Sequence, residues 1–428
     1  MAERMTHKFG GASVRDADAI RKVAEVLSQV VPPDGQAVVV VSAMGKTTNA
    51  LEAVWRAPGP QRPAMWEELR RRHEDVAAAL ALPASVTERL QRVFSEAWDE
   101  AHGVHAGEAG SQASYDAFVA AGELASTLLV EGWLSRQGMR TAWWDVRETL
   151  RTTGPHRFAR VCEDDLPAMG TALRARFEGP HAPQFVVTQG FIGRNAAGAT
   201  TTLGREGSDY SAALLAVAAG AQGVTIWKDV PGMMNADPKR HPDAQTLARV
   251  DHAEAMELSY YGASVIHPRT IKPLRKHGLP LWVRSFVDVD GPRTEINAFP
   301  GLVPEVPMFI WRDDQALLEV ATADGSFLAE DHLTTLFGAL DQTGIHVRLM
   351  QQSATHFGLV TDHDATRIAS LILAVGGSLE VGVEEGLSLL TVRHGTQEVL
   401  DALADRWDVV VEQRAGATWR RVLRATNR

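Results

Sequence analysis

The run Thr201-Thr-Leu-Gly-Arg-Glu-Gly-Ser-Asp-Tyr-Ser211 places an arginine, an aspartate and two glycines in one short turn. It lies between a strand-like run, 184–191, and an Ala/Leu-rich helical run, 211–219. Glycines 204 and 207 allow backbone geometry that other residues resist. Ser208 or Asp209 is placed to cap the helix that follows, and the free N–H groups at its start form an anion site. A fixed cation (Arg205), a fixed anion (Asp209) and backbone donors together suit a substrate carrying both a carboxylate and a phosphate.

A second set of residues could serve the same chemistry. His7-Lys-Phe-Gly-Gly-Ala-Ser-Val14 puts Lys8 just before the tight turn at Gly10 and Gly11, with Ser13 placed to cap the next helix. Lys8 reads either as a surface lysine or as a cation near a transferring phosphate. Val41-Ser-Ala-Met-Gly-Lys-Thr-Thr48 ends like a P-loop, but the first glycine of that motif would fall on Val40. The phosphate cradle needs that glycine for its backbone path, so the stretch is not a Walker A site. Ser42 and Thr48 still offer hydroxyls to a carboxylate. Lys228-Asp-Val-Pro-Gly-Met-Met-Asn-Ala-Asp-Pro-Lys239 is a long polar loop after a strand. Such a loop can grip a nucleotide at a sheet's carboxyl edge. The histidines lack metal-site spacing, and His267 beside Pro268 reads as structural. The single cysteine, Cys162, cannot form an intramolecular disulfide.

These residues must be held by alternating strands and helices. The apolar run 37–41 suits a parallel strand covered on both faces, and helices recur at 16–30, 115–135 and 211–219. The pattern predicts an α/β three-layer sandwich with a mainly parallel sheet. The few residues before Gly10 do not make a strong strand. Residues 64–105, rich in Glu, Arg and Ala, read as a helical insertion or lid. Residues 281–286 read as the last strand of this half, and 292–307, with several prolines and glycines, as a linker. Beyond it lies one βαββαβ pattern followed by a shorter βαββ one, with separate strands at 378–383 and 387–393. A chain of 428 residues with 45% hydrophobic residues has room for two or three domains. Its net charge of −10 argues against nucleic acid or anionic membrane as a main partner. The N-terminus lacks a signal-peptide core, and no apolar run approaches a membrane span of about 20 residues. A soluble cytoplasmic protein is expected.

Lys8-Phe-Gly-Gly-Ala-Ser13, residues 42–49, Gly122-Glu123-Leu124, residues 200–211 and the 228–239 loop together resemble the aspartate kinases (aspartokinases) in order and spacing. The Lys-Phe-Gly-Gly opening with Thr-Thr-Leu-Gly-Arg-(x)-Gly-Ser-Asp separates the chain from acetylglutamate, carbamate and uridylate kinases. The resemblance implies an amino-acid-kinase catalytic domain over 1–291. After the linker it implies a pair of C-terminal α+β ACT regulatory modules over 308–428, the second shortened. No dinucleotide fingerprint is present, so a fused homoserine dehydrogenase is not expected.

The implied reaction moves the γ-phosphoryl of ATP, brought as Mg-ATP, onto the β-carboxylate of L-aspartate, the first step towards lysine, threonine and methionine. By resemblance, Lys8 and Asp209 are catalytic, Asp209 orienting Lys8. Ser42, Thr48, Glu123, Arg205 and Ser208 bind substrate, Arg205 clamping its α-carboxylate and Glu123 its α-ammonium. Gly10, Gly11, Ser13, Lys228, Asp229, Asp237 and Lys239 surround the nucleotide, and no protein metal cage is expected.

The chain departs from the family pattern at three points. Ala12 stands where many members have Thr. Ser264 stands where many have a phosphate-contacting Lys. Arg348 stands where lysine-inhibited relatives have an acidic residue, which shifts the expected effector from lysine towards threonine. A homodimer or larger homo-oligomer is expected. Two other readings are a kinase of another small amino acid or carboxylate, and an inactive amino-acid-binding regulator. The presence of Lys8, Arg205 and Asp209 weighs against the inactive regulator.

Overall fold

The computed structural model describes residues 3–102, 112–263, 265–404 and 407–425. Ser264 and the last residues of the expected insertion, 103–105, lie outside them. The chain divides into two compact units. The first comprises 1–233, 246–256 and 264–303; the second comprises 234–245, 257–263 and 304–428.

The first unit is built on a nine-stranded sheet. In chain order its strands are β1 (Arg4–Phe9), β2 (Gln36–Val41), β3 (Thr141–Trp144), β4 (Phe185–Gln189), β5 (Val224–Lys228), β6 (Arg249–Asp251), β7 (Leu281–Ser285), β8 (Arg293–Asn297) and β9 (Leu302–Val303). The spatial order is β9-β6-β8-β7-β5-β1-β2-β4-β3. The pairs from β7 across to β3 are all parallel, and antiparallel pairing is confined to β7/β8 and β6/β9. Residues 292–307 are therefore not simply a linker: they supply β8 and β9, so the sheet does not end at β7. β8 folds back on its neighbour β7 and also pairs with β6, and β9 pairs with β6; local composition says nothing of the distant β6 pairings.

β1 is the other departure from expectation. It is too short to announce itself, yet it lies inside the sheet, with Lys8 paired in register to Val40 on one side and Ile226 on the other. Alternation along the strands divides the labour. Phe9, Val39, Val41, Val187 and Trp227 join a core with the helices α1 (Ala17–Val30), α2 (Thr47–Arg56), α3 (Arg62–Ala79), α4 (Ala84–His102) and α5 (Gln112–Arg136). Lys8 has the opposite parity to Phe9 and so faces the other layer, formed by α6 (Leu166–Ala175), α7 (Gly207–Ala219) and α9 (Pro268–His277); α8 (His252–Tyr261) is divided between the two units.

The expected insertion is not a separate lid. Trp66 and Leu69 of α3 and Leu90 and Phe94 of α4 are buried in the same core as α5. α5, 25 residues long, is long and apolar enough to cross a membrane, but it is enclosed: 83% of its most apolar window is buried. Two expected caps are also reassigned. α1 is capped by Asp16, whose Oδ1 accepts from Ala19 N at 2.8 Å, while Ser13 is buried in a 3-10 turn over Gly11–Val14. Neither Ser208 nor Asp209 caps α7. Both lie within the helix, whose N-cap is Glu206 with a left-handed backbone, φ 54°.

The second unit is α+β. Its six-stranded antiparallel sheet runs β11-β12-β10-β13-β15-β14, formed by β10 (Met308–Thr322), β11 (Val347–Gln352), β12 (His356–Asp362), β13 (Leu379–Arg393), β14 (Trp407–Ala415) and β15 (Thr418–Ala425). β13 unites the two strands expected at 378–383 and 387–393. It pairs with β10 along both halves, and the ladder absorbs a register shift between Arg312 and Gln315. The helices α10 (Glu330–Thr343) and α11 (Ala365–Val375) bury Leu336, Leu340, Ile368 and Leu371 against the first half of this sheet. A third helix, α12 (Gln397–Ala404), precedes β14.

Candidate active site

At the carboxyl end of β1, the chain turns sharply through Gly10 and Gly11. A Cβ on Gly11 would lie 2.6 Å from the carbonyl oxygen of Gly45 and 2.8 Å from that of Ala43, so only glycine lets these turns touch. The turn after β2 is thereby pressed against the turn after β1, bringing Ser42 and Thr48 beside Lys8. From the other layer, the start of α7 is fixed by another close approach, since a Cβ on Gly190 would meet Ser208 Cα at 2.7 Å. These turns and α5 enclose a cavity of about 570 Å³, lined by Lys8, Gly11, Ser42, Thr48, Glu123, Arg205, Ser208, Asp209 and Lys228, among others.

The remaining residues singled out in the sequence fall elsewhere. Gly10 sits beside the Lys8 ammonium, and Ser13 is buried in the 3-10 turn. Asp229 is exposed just past β5. Asp237 and Lys239 belong to the second unit, in a segment tied to it by Asn235 Nδ2 to Pro307 O at 3.0 Å.

The charges in the cavity are arranged unequally. Lys8 Nζ lies 2.5 Å from Asp209 Oδ1, and Lys228 Nζ lies 3.6 Å from Asp209 Oδ2. Burial pushes the Asp209 carboxyl up, but the two lysines outweigh it and hold the group below the usual carboxylate range. Two cations thus share one carboxylate, leaving net positive charge where few water molecules reach. Glu123 behaves in the opposite way. It is buried, its Oε1 accepts from Ala43 N at 3.3 Å, and its Oε2 has no partner. Burial, opposed by backbone hydrogen bonds and by the Lys8 charge, pushes its carboxyl up to about 8. An unmatched buried acceptor of this kind costs free energy unless a ligand donor meets it.

A supporting group was not foreseen from the sequence. Asp116, fully buried on α5, accepts from Thr202 Oγ1 at 2.7 Å, Thr202 N at 3.1 Å and Arg157 N at 2.9 Å, with His156 Nδ1 at 2.8 Å. It ties the Thr201–Asp209 turn to the loop carrying Arg157, whose guanidinium lies 4.2 Å over the Tyr115 ring. Arg157, Phe158, Tyr115 and Glu52 all join the cavity wall. The available signal was an aspartate in a predominantly apolar helix, since a buried carboxylate must find donors.

The mainly parallel sheet with this cavity at its strand ends is that of an amino acid kinase, since residues 3–285 match the family model described as "Amino acid kinase family". The lysine-sensitive aspartokinase 3 of Escherichia coli (strain K12) is 33% identical over 407 residues, covering 92% of this chain and 87% of that protein. The bifunctional aspartokinase/homoserine dehydrogenase 2 of the same organism is 33% identical over 320 residues, 74% of this chain but only 38% of that longer protein. The crystal structure of E. coli aspartokinase III with aspartate and ADP superposes with a TM-score of 0.82 at 29% identity, covering 98% of this chain and 96% of that one. The lysine and aspartate complex of that enzyme also gives 0.82, at 30% identity, covering 99% and 96%. Within the amino acid kinases, the chain belongs to the aspartokinase family.

Proposed function

We propose that this chain transfers the γ-phosphoryl of ATP to the β-carboxylate of L-aspartate, giving 4-phospho-L-aspartate, the first step of lysine, threonine and methionine synthesis. The observation that carries this reading is the pairing, in one cavity, of a two-lysine, one-aspartate cluster with the unpartnered Glu123 carboxyl. The cluster suits a phosphoryl group, and Glu123 suits an ammonium. One cavity that takes both fits an amino acid being phosphorylated.

The chemistry asks little of the protein beyond placement and charge. A β-carboxylate is already ionised at neutral pH, so no general base is required. A carboxylate oxygen forms the new O–P bond as the bond from the γ-phosphorus to the bridging oxygen breaks, and the electron pair leaves with ADP. Lys8 neutralises charge on the transferring group, and Asp209 holds Lys8 in position. Arg205 grips the α-carboxylate, Glu123 receives the α-ammonium, and Ser42, Thr48 and Ser208 shape the pocket. Gly10, Gly11 and Lys228 face the nucleotide phosphates. Magnesium arrives as Mg-ATP. Asp209 is engaged by two lysines, so the metal is carried by the phosphates. Incubation with ATP, magnesium and a panel of amino acids, with hydroxylamine trapping the acyl phosphate, tests this reading. L-aspartate should give the hydroxamate, and a better yield from another carboxylate would reassign the substrate.

Arg205→Lys separates the two halves of the site. It keeps the charge and loses the planar fork that pairs with a carboxylate at two points. We expect the aspartate KM to rise about tenfold or more, with ADP affinity nearly unchanged. A collapse of nucleotide affinity with an unchanged aspartate KM would place Arg205 in the nucleotide site instead.

The second unit is proposed to act as an ACT-type regulatory pair that dimerises and holds an amino-acid effector. In its favour are the exposed Phe337, Ile372 and Leu373 on its two larger helices, an apolar set that a second copy could cover. Arg348 Nε lies 3.2 Å from Asp362 Oδ1, and its Nη2 also meets that carboxylate. With Asp362 so neutralised, an ammonium side chain finds a cation rather than a partner. Lysine alone should therefore inhibit weakly and threonine more strongly. Titrating each amino acid against activity checks this, and strong lysine inhibition unaltered by Arg348→Asp would refute it.

A further inference from the structure

The first unit contains a second cavity, larger than the first at about 1080 Å³, bounded by α6, α7, α9 and the short strand Arg160–Val161. Its walls include the cations Arg160, Arg174, Arg269, Lys272 and Lys276, against a single carboxylate, Glu163. This is a marked local reversal in a chain whose net charge is −10. Like charges gathered in a concavity with low-dielectric walls raise the local potential and attract anions.

Two of these cations are anchored to the backbone, and a third is paired with a carboxylate at the surface. Arg269 Nη1 donates to Leu203 O at 2.8 Å, and its guanidinium lies 4.7 Å over the Tyr210 ring. Arg174 Nη1 donates to Ala218 O at 2.6 Å. Lys276 Nζ pairs with Glu163 at 3.2 Å. Among the described residues, Arg160 and Lys272 have no acidic partner. Between the cations the wall is apolar, with Leu166, Leu214, Val217 and Pro273. Anchored cations around an apolar floor are the arrangement that small-molecule sites use to fix a charged group and bury its body.

We propose that this cavity, which adjoins the proposed substrate site at Phe158, is a second ligand site for a small organic anion in which a phosphate or carboxylate is attached to an apolar ring or chain. The cations take the anionic group and the helix faces take the body. A bare inorganic anion gains only the first of these contacts and binds more weakly.

The test is calorimetry on the full chain, with saturating aspartate and ADP present to fill the first cavity. 1-Naphthyl phosphate is the probe, with inorganic phosphate and 1-naphthol as its separated parts. One equivalent of naphthyl phosphate should bind, at least tenfold more tightly than either part. The Arg160→Glu/Lys272→Glu double variant should weaken it a further tenfold or more, with melting temperature and turnover near wild type. The single Lys272→Ala variant should give a smaller loss in the same direction and serves if the double variant folds poorly. The proposal is overturned by no binding at millimolar probe, by displacement with aspartate and ADP, by equal binding of inorganic phosphate, or by binding indifferent to these substitutions. Because the readout is heat of binding, its failure is distinguishable from failure of the aspartate kinase reading.

Discussion

Lys8→Ala will lower kcat by two or more orders of magnitude. The Lys8 ammonium is buried at the end of β1 and held 2.5 Å from Asp209, so it meets the phosphoryl group already desolvated and already oriented. A preorganised charge in such a place contributes about 3–4 kcal/mol to the transition state, or roughly a hundredfold to a thousandfold in rate. Lys228, at 3.6 Å on the other Asp209 oxygen, remains and keeps that carboxylate from being stranded. The variant should therefore fold, and its melting temperature is measured alongside turnover. Acid titration adds an independent check. Asp209 has a folded pKa below its unfolded value, so its contribution to stability is present above the unfolded value and is lost as pH falls through the folded one. Removing Lys8 removes much of the cause, so the variant should lose less stability than wild type on acidification. Near-wild-type turnover with aspartate would show that Lys8 does not act on the phosphoryl group.

Glu123→Gln will raise the aspartate KM by about a hundredfold while making the ligand-free protein more stable at alkaline pH. Truncating one side of a buried charged pair typically costs about 2–5 kcal/mol of binding. The stability effect follows from burial. The folded carboxyl, pushed up to about 8, holds its proton more tightly than the unfolded chain does. Its contribution to stability is fully present below the unfolded value and is lost as pH rises through about 8. Glutamine is neutral throughout, so the variant should match wild type near pH 5 and melt higher near pH 9. A third readout belongs to the wild type. At pH 7 the free site is protonated at Glu123, and a substrate ammonium pairs with the ionised form. Aspartate binding should then release close to one proton, measured by calorimetry in buffers of different ionisation enthalpy, and the variant should release none. Binding without proton release would show that the free carboxyl is already ionised, and an unchanged KM in the variant would remove Glu123 from the ammonium site.

Most of the charged residues lining the proposed site were visible in local strings. Lys8 before a diglycine and Arg205 and Asp209 in a glycine-spaced turn were recognisable as candidates without coordinates, because residue type and short spacing decide which charges a turn can offer; Glu123 was singled out only through the resemblance to the aspartokinases. The buried run of β2 announced a parallel sheet for the same kind of reason, since a strand covered on both faces has no polar side to show.

What the sequence could not determine depended on distant partners. β1 is a strand because Val40 and Ile226 flank Lys8, and β9 joins the sheet, and β8 is covered on its second edge, because β6, far back along the chain, lies beside them. Asp116 became a linchpin only when folding brought Thr202 and Arg157 to it across 86 and 41 residues. The raised carboxyl of Glu123 and the lowered one of Asp209 belong to the same class. Both are acidic side chains on helices, and burial acts on both in the same direction. Their difference comes from two lysines on neighbouring strands that both pair directly with Asp209, whereas only Lys8 acts on Glu123, and too weakly to offset its burial. Side-chain type is local and can be read from the sequence; burial and the charges beside it are set by long-range packing, which the tertiary structure alone decides.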